Sequence, residues 1–243
     1  MGKDFFALYD AIIKIVNSDE HIVSASLGAR WGIAHTETHT GIAMNTAGNS
    51  IAPMFPDGIP GLSLREAAEG IKSWNMAEAT LALAAVNAYF NTAERVDALG
   101  VNTSAHYTDC IDFAGKTVCF IGHMRSAELI RERAKKVYII EREPGEGDYP
   151  DSACDFILPS CDVAIITGSS LINKTLPHLL ELCENAYTVL AGPSVPLCGE
   201  LLDYGIDMLS GLAVTDREKM SAHTAEGRRG SPMYCGVGFT LSR

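Results

Sequence analysis

Short β-branched runs alternate with segments of helical spacing through the second half of the chain, and this alternation limits the possible folds more than any other feature. The β-branched runs span residues 117–121, 137–140, 163–167 and 187–190, and the segments of helical spacing include 127–134 and 176–183. Neighbouring parallel strands need a crossover connection, which a helix can provide. The pattern therefore predicts an α/β domain with a mainly parallel, doubly wound sheet.

The first hundred residues follow a different pattern. Apolar residues between 5 and 16 recur at spacings of three and four, which predicts a helix with one buried face. Glycine-punctuated, β-leaning runs cover residues 21–27, 31–35 and 41–44. Such runs are typical of an antiparallel meander.

Two helix starts are also visible in the first half of the chain. Ser63 is followed by Glu66, and Asn75 is followed by Glu78. Both pairs have the spacing at which a cap residue and an acidic residue satisfy the free N–H groups of a helix. We therefore predict an α+β domain over residues 1–104, with a meander and helices, followed by the α/β domain over residues 105–243.

The charge of the chain excludes some partners. Of its 243 residues, 19 are Lys or Arg and 30 are Asp or Glu, which gives a formal net charge of −11. A surface of this sign repels phosphate backbones and anionic membranes, so we expect neither nucleic acid nor membrane as a partner. No apolar run approaches the ~18–20 residues of a membrane span, and a cytoplasmic protein is expected.

The seven cysteines do not form a recognisable metal or disulfide motif. Their number is odd, no C-x-x-C pair occurs, and most of them lie in segments predicted to be strand or helix. We expect them to be reduced residues of the core.

Polar residues follow the first two predicted strands of the α/β domain. Gly122 and His123 follow the first strand, and Glu141 ends the second at the position from which an acid reaches a ribose in nucleotide-binding folds. Asp148 lies in an acidic loop shortly afterwards, where carboxylates can bind a cation or can simply be solvated. The fingerprint G-x-G-x-x-G is absent because Met124 occupies its second glycine position, so an ordinary dinucleotide site is disfavoured.

The third and fourth predicted strands end in loops that are rich in hydroxyl groups and glycine. The residues concerned are Thr167, Gly168, Ser169, Asn173 and Thr175 after the third strand, and Gly192, Pro193 and Ser194 after the fourth. Free N–H groups at a helix start attract anions, so these loops are candidates for a polar or anionic ligand. The alternative is ordinary capping, in which these side chains serve only their own turns and helices.

One candidate metal site lies in the first domain. On a strand, His35, Glu37 and His39 would share one face and could bind a divalent transition-metal ion. The same residues could equally form the polar face or the turn of an exposed hairpin. No H-E-x-x-H motif, Cys/His cluster or nucleophile elbow is present to support a zinc enzyme or a hydrolase.

Several segments together resemble the family labelled putative heavy-metal chelation proteins. In the first half they are Gly28, Gly32, residues 41–43, 73–75 and 82–88. In the second half they are Glu141, residues 147–150, 167–175, 192–197 and 205–211. The resemblance implies an enolase-N-terminal-like domain followed by a Rossmann-like domain. It also implies a site between the two that would bring Asn75, Asn87 or the hairpin at residues 35–39 toward the strand ends.

Three hypotheses of function follow. The first is a protein that binds a metal ion or a metal-chelating small molecule in an interdomain cleft. The second is an enzyme that binds a nucleotide-type cofactor, such as S-adenosylmethionine, through Glu141 and the loop at 167–173, with His123, Glu141 or Asp148 as the titratable group. The third is a structural or interaction module. The apolar run at 234–241 could form an edge strand or dock on a second copy, so a homodimer is also expected.

Overall fold

The computed structural model describes residues 5–46, 51–104, 106–228 and 230–243. These residues form a mixed α/β fold with a three-stranded antiparallel sheet and a seven-stranded, mainly parallel sheet. None of the helices in these ranges is long and apolar enough to cross a lipid bilayer.

In its described residues, the amino-terminal half contains the small sheet and four α-helices. Its strands are β1 (Ser24–Leu27), β2 (Trp31–His35) and β3 (Thr40–Met44), which pair in chain order. Its helices are α1 (Ala7–Ile15), α2 (Leu64–Ala68), α3 (Met76–Phe90) and α4 (Ala93–Leu99). The predicted helix and all three predicted strands are present, and α3 packs across β2 and β3.

The two predicted helix starts are confirmed in atomic detail. Ser63 and Glu66 form a reciprocal capping box at the start of α2. The Asn75 side chain accepts a hydrogen bond of 3.1 Å from the Glu78 N–H at the start of α3. Each cap satisfies a backbone donor that the first helical turn leaves free.

The carboxy-terminal half contains the large sheet. Its strands are β4 (Thr117–Ile121), β5 (Lys136–Glu141), β6 (Tyr149–Pro150), β7 (Val163–Thr167), β8 (Tyr187–Ala191), β9 (Met208–Val214) and β10 (Gly236–Ser242). Its helices are α5 (Tyr107–Cys110), α6 (Ser126–Arg131), α7 (Cys154–Ile157), α8 (Leu176–Leu182) and α9 (Arg217–Ala225). The strand order is β10-β9-β8-β7-β4-β5-β6, with β10 alone antiparallel to its neighbour.

This strand order places a topological switch in the middle of the sheet. The chain proceeds from β4 outward through β5 and β6, then returns to the other side of β4 and proceeds outward through β7, β8 and β9. Ligands of open α/β sheets bind beyond the carboxyl ends of the strands at such a switch. The ends of β4 and β7 are therefore the first place to look for a site.

Several elements of the second half were not predicted from sequence: the short α5, β6 and α7, and the longer β9 and α9. Strand β9 lies between the edge strand β10 and β8 and is buried, and α9 forms where the sequence reads as a polar stretch. Asp216 caps α9 by accepting from the Lys219 N–H, and only Met220, His223 and Thr224 of the helix are buried. With so few buried positions, the apolar periodicity of α9 is too weak to recognise in the sequence.

The two halves share their apolar interior. The largest core cluster contains Ile12 and Leu83 from the first half together with Ile166 and Leu190 from the second. A smaller cluster joins Trp31 and Ile33 of β2 to Leu212 of β9 and Met220 of α9. Helix α9 is thereby packed against the small sheet.

Candidate ligand site between the small sheet and the last helix

The ends of β4 and β7 meet closely at the topological switch. Gly122 has a φ of 100°, and a Cβ built on it would lie 3.2 Å from Thr167 Cβ. A side chain is disfavoured here both by the backbone conformation and by the neighbouring strand. Thr167 Oγ1 in turn lies 3.0 Å from Ser169 Oγ, within the loop that follows β7.

A second polar group forms at the ends of β4 and β5. The His123 N–H donates to Glu141 Oε1 at 2.7 Å, and His123 Nδ1 lies 3.0 Å from Asp148 Oδ2. Burial opposes the charged form of Asp148, but hydrogen bonds from His123 and from the Gly145 N–H outweigh it and hold the pKa of this carboxyl below its ordinary value. The Arg142 N–H donates to the other oxygen of Glu141 at 3.0 Å. Both Glu141 oxygens thus already accept backbone hydrogen bonds.

The residues of the loops after β7 and β8 mainly make contacts within their own loop or with neighbouring loops and strands. Asn173 Oδ1 accepts from the N–H and the hydroxyl of Thr175, which is the capping alternative stated above. Gly168 packs against Val195, where a Cβ would lie 2.8 Å from Cγ2. Ser194 is buried, and its Oγ accepts from the Met44 N–H at 2.8 Å. That bond ties the end of β8 to the end of β3.

The remaining candidates in this region do not converge on one point. Gly192 and Pro193 are half-buried, and the Gly192 N–H donates to Ser210 O at 2.9 Å. Asn75 donates to Ile51 O, and Asn87 donates to Ile42 O, both at 2.8 Å. These side-chain hydrogen bonds of Asn75 and Asn87 stay within the amino-terminal half.

The expected metal-binding ladder at residues 35–39 does not form. Strand β2 ends at His35, and the chain then turns back into β3, so His35, Glu37 and His39 do not share a strand face. The His39 ring contacts Thr38 and lies 3.5 Å from Glu94, whereas Glu37 is exposed. Across the described ranges, no three His, Cys, Asp or Glu side chains are arranged to hold a metal ion.

A cavity of about 560 Å³ lies between the small sheet and α9, and we call it the sheet–α9 cavity. Residues 26–29, Ile33 and His35 line it on the sheet side, and Ser221 and residues 224–227 line it on the helix side. The two sides meet at Gly28, where a Cβ would lie 2.7 Å from Thr224 O. The Thr224 hydroxyl is buried and has no hydrogen-bond partner within the described structure.

One wall of the sheet–α9 cavity is a hydrogen-bonded chain through His35. Arg217 Nε donates to His35 Nδ1 at 3.1 Å, so the ring proton is assigned to Nε2, which faces Ser221 Oγ at 3.3 Å. Burial, and after it the positive charge of Arg217, lowers the pKa of His35. His35 is therefore neutral at pH 7.

The hydrogen bonds from Arg217 through His35 to Ser221 run in the wrong direction for nucleophilic catalysis. The Ser221 hydroxyl donates to Arg217 O at 2.8 Å, and the imidazole offers Ser221 an N–H rather than a lone pair. A base that activates serine must accept its proton. The side chains of this wall can donate hydrogen bonds to a ligand and accept hydrogen bonds from it, as the polar groups of a binding site do.

Arg217 also fixes the hairpin that ends this wall. Its guanidinium donates to the backbone carbonyls of Thr36, Glu37 and His39. Five donors in a planar fork allow one arginine to satisfy several carbonyls at once. The hairpin is therefore held to α9 from a position 177 to 182 residues away in the sequence.

Lys174 is a functional candidate that sequence reasoning missed. It is 3% exposed, its Nζ donates to Ser73 O at 2.5 Å and to Ile172 O at 2.7 Å, and its φ of 63° is rare for a non-glycine residue. Burial lowers the pKa of its ammonium to about 8, although the charge of Glu78 opposes this. A single cation among uncharged residues in 171–175 was the available signal.

The lowered pKa of Lys174 predicts a pH-dependent stability. Between pH 8 and 10.5 the unfolded chain binds more protons than the folded one, so the free energy of unfolding should rise with pH over this interval. Over this interval the free energy of unfolding of the wild type should rise by up to about 3 kcal/mol more than that of Lys174→Met. Urea unfolding of both proteins at pH 7 and pH 10 measures this gain.

The exposed Lys116 provides the control for that measurement. Lys116→Met, unfolded under the same conditions, shows how much of the difference comes from replacing a surface lysine by methionine. The difference in free energy of unfolding between the wild type and Lys174→Met could prove equal at pH 7 and pH 10. Burial would then not destabilise the charged form of Lys174, which would contradict the prediction.

These features define a class of two-sheet α/β proteins in which a small antiparallel sheet packs on the last helix of a mainly parallel half and leaves a cavity at the contact. The chain belongs to the DUF364 family, which matches residues 109–241, and residues 9–90 match the DUF4213 family. Both families carry the description "Putative heavy-metal chelation".

Solved structures of the same family are similar over nearly the whole chain. A DUF364 protein of unknown function from Desulfitobacterium hafniense is 33% identical, with a TM-score of 0.87 and 98% of each chain covered. A second one from Pyrococcus horikoshii is 25% identical, with a TM-score of 0.81, and the match covers 97% of this chain and 100% of that one.

One curated relative is itself described only as an uncharacterised protein. It is a protein of Methanocaldococcus jannaschii that is 28% identical over 154 residues. The match covers 60% of this chain and spans 59% of the relative's length.

Proposed function

We propose that the protein binds a metal-chelating small molecule, together with its metal, in the sheet–α9 cavity between domains at residues 1–104 and 105–243. In this proposal the domains are the enolase-N-terminal-like and Rossmann-like units that the resemblance implies. The observation that carries the proposal is the cavity itself, whose volume of about 560 Å³ falls within the usual range for small-molecule sites.

The lining of the cavity favours an organic ligand over a bare ion. Leu27 and Ile33 supply apolar surface, whereas the His35 and Ser221 groups supply a few fixed hydrogen-bonding atoms. Small-molecule sites combine these two kinds of surface. A bare ion would need several protein donors around one point, and the described residues do not provide three. The chelator would supply them instead.

The families' description supports the metal part of the proposal. Both family matches carry a name that refers to heavy-metal chelation, although neither specifies a ligand. A site that recognises the organic part of a metal complex reconciles this description with the lack of a three-donor group. The nucleotide-type alternative gains no comparable support, because both oxygens of Glu141 already accept backbone N–H groups.

Filling the cavity tests the proposal. Ala225 lines the cavity and Ala222 does not, and both are exposed residues of α9. Ala225→Trp should weaken ligand binding by more than about tenfold, which is about 1.4 kcal/mol, and Ala222→Trp should leave it unchanged. Calorimetry with Ni²⁺ alone, Ni²⁺–histidine, Ni²⁺–citrate, the free chelators and S-adenosylmethionine gives the affinities.

In these titrations at least one nickel complex should bind the wild type more tightly than Ni²⁺ alone does. That binding should be lost in Ala225→Trp. Saturable binding of Ni²⁺ alone that Ala225→Trp does not change, or no binding of any complex, would contradict the proposal. Binding of S-adenosylmethionine alone would favour the nucleotide-type alternative.

A further inference from the structure

His123 is held at the carboxyl end of β4 by a carboxylate that is almost entirely buried. Its Nδ1 lies 3.0 Å from Asp148 Oδ2, and the Asp148 side chain is 5% exposed. The same carboxylate oxygen accepts from the Gly145 N–H at 3.1 Å, and the His123 N–H donates to Glu141 of β5. The backbone and the ring of His123 are therefore both anchored, the first to β5 and the second to the loop after it.

These contacts decide which ring nitrogen of His123 carries the proton. Burial favours the neutral form of Asp148, but the hydrogen bonds from His123 and from the Gly145 N–H outweigh it and keep the pKa of Asp148 below its ordinary value. An ionised carboxylate can only accept hydrogen bonds. The proton of the neutral imidazole is therefore assigned to Nδ1, which leaves a lone pair on Nε2.

The second ring nitrogen of His123 is available to a ligand. The His123 side chain is half-exposed, and its Nε2 has no hydrogen-bond partner among the residues that the structure describes. His123 directly follows Gly122, at the topological switch where β4 and β7 end. Ligands of open α/β sheets bind at this edge. An imidazole fixed here can take a proton from a group that is bound beside it.

Two other described histidines lie within 4.0 Å of a carboxylate, and neither has this arrangement. Both ring nitrogens of His178 face acids, with Asp155 3.1 Å from Nε2 and Glu181 4.0 Å from Nδ1. The Asp155 side chain is 57% exposed, and His39 likewise faces an exposed acid, Glu94. Exposed pairs of this kind contribute little and fix neither side chain firmly. Of the three, only His123 combines a buried carboxylate with an unbonded ring nitrogen.

We propose that His123 is a general base, positioned by Asp148, that activates water for the hydrolysis of an uncharged, activated ester at the carboxyl ends of β4 and β5. His123 Nε2 takes a proton from water while the water oxygen bonds to the acyl carbon. The bond from that carbon to the alcohol oxygen then breaks, and the imidazolium returns its proton to the leaving oxygen. The products are the carboxylic acid and the alcohol, and nothing is oxidised or reduced.

The charges near the pair favour an uncharged substrate. Glu141 and Asp148 share their segment with Glu143 and Glu146, and Arg142 is the one cation between them in the sequence. A negative field of this kind repels anions such as phosphate esters. Water that is activated by an imidazole alone attacks only reactive carbonyl groups, so the ester must be an activated one.

This site is separate from the sheet–α9 cavity. The cavity is lined by residues of the small sheet and α9, and neither His123 nor Asp148 lines it. Ester hydrolysis and the binding of nickel complexes can therefore fail independently.

The hydrolysis of ethyl dichloroacetate, an uncharged activated ester, tests the proposal at constant pH by titration of the released acid. The protein-dependent rate should fall by at least about tenfold in His123→Gln and in Asp148→Ala. His178→Gln is the matched control, because it removes the histidine of an exposed pair, and it should leave the rate unchanged. The wild-type rate should be lower in deuterium oxide than in water, because a proton moves in the rate-limiting step.

Nitrogen NMR of protein labelled in histidine separates a positioning role of Asp148 from a merely structural one. His123→Gln identifies the His123 signals by removing them. The neutral ring of His123 should be protonated at Nδ1 in the wild type, and Asp148→Ala should lose this preference without changing the signals of His178.

Thermal melting shows whether each variant is folded, and Asp148→Asn replaces Asp148→Ala if the latter is not. An unchanged rate in folded His123→Gln or in the folded Asp148 variant, an equal loss in His178→Gln, or no protein-dependent hydrolysis would overturn the proposal. Equal wild-type rates in the two solvents would also overturn it, since they would indicate direct attack of the imidazole on the ester.

Discussion

Gly41→Ala is expected to destabilise the protein by at least about 3 kcal/mol, because overpacking against backbone atoms cannot be relieved by side-chain movement. Gly41 lies in β3 directly against α3. A Cβ at this position would lie 2.0 Å from Ala84 O and 2.2 Å from Ala88 N. The strand and the helix would have to separate, which would open the packing of the small sheet on α3.

Gly199→Ala is the matched control for this substitution. Its added Cβ would meet nothing closer than Leu241 Cδ2 at 3.9 Å. Urea unfolding followed by circular dichroism should show little change for Gly199→Ala and a large decrease in the midpoint for Gly41→Ala. Equal midpoints for the two variants would mean that β3 and α3 do not approach as closely as described.

Asn91→Leu is expected to cost about 3 kcal/mol or more, because it leaves three buried backbone groups without partners at about 1–3 kcal/mol each. Asn91 follows α3 and is 3% exposed. Its Nδ2 donates to Val195 O at 2.9 Å and to Leu212 O at 3.1 Å, and its Oδ1 accepts from the Leu197 N–H at 2.7 Å. One side chain thus joins the first half to both the loop after β8 and strand β9.

Asn185→Leu controls for the change of side chain. Asn185 is exposed in the turn after α8, so its replacement should change the free energy of unfolding only slightly. Chemical unfolding of both variants measures the contrast. If Asn91→Leu is no less stable than Asn185→Leu, water must satisfy the three backbone groups, and the link between the halves is weaker than the geometry implies.

The strands of the large sheet were largely predictable because their signal is local. Runs of β-branched residues at 117–121 and 163–167 coincide with β4 and β7, and the capping residues Ser63 and Asn75 are where the spacing placed them. Helix α9 was missed because few of its residues are buried. The hairpin after His35 was left open between a strand face and a turn, and the turn is what forms.

The candidate site was predictable only in part. His35 was singled out as a metal ligand, yet it lines a cavity as a neutral hydrogen-bonding group held by Arg217. Gly122 and Thr167 lie beside each other because parallel strands end at the same edge, a contact that the sequence analysis did not specify. Lys174 and Asn91 were not selected, since their significance lies in partners about 100 residues away.

By itself the sequence determined the two kinds of sheet and the helix starts, because backbone hydrogen bonding imposes local periods and local cap spacings that side chains must match. Only the tertiary structure decided which faces meet. The cavity between β2 and α9, the Lys174 bond to Ser73 and the Asn91 bond to Val195 all join residues that are distant in the chain. Such contacts depend on how whole elements pack, and no local pattern encodes that packing. The alternation that limited the fold at the outset therefore specified the sheet, and the packing of α9 on the small sheet created the site.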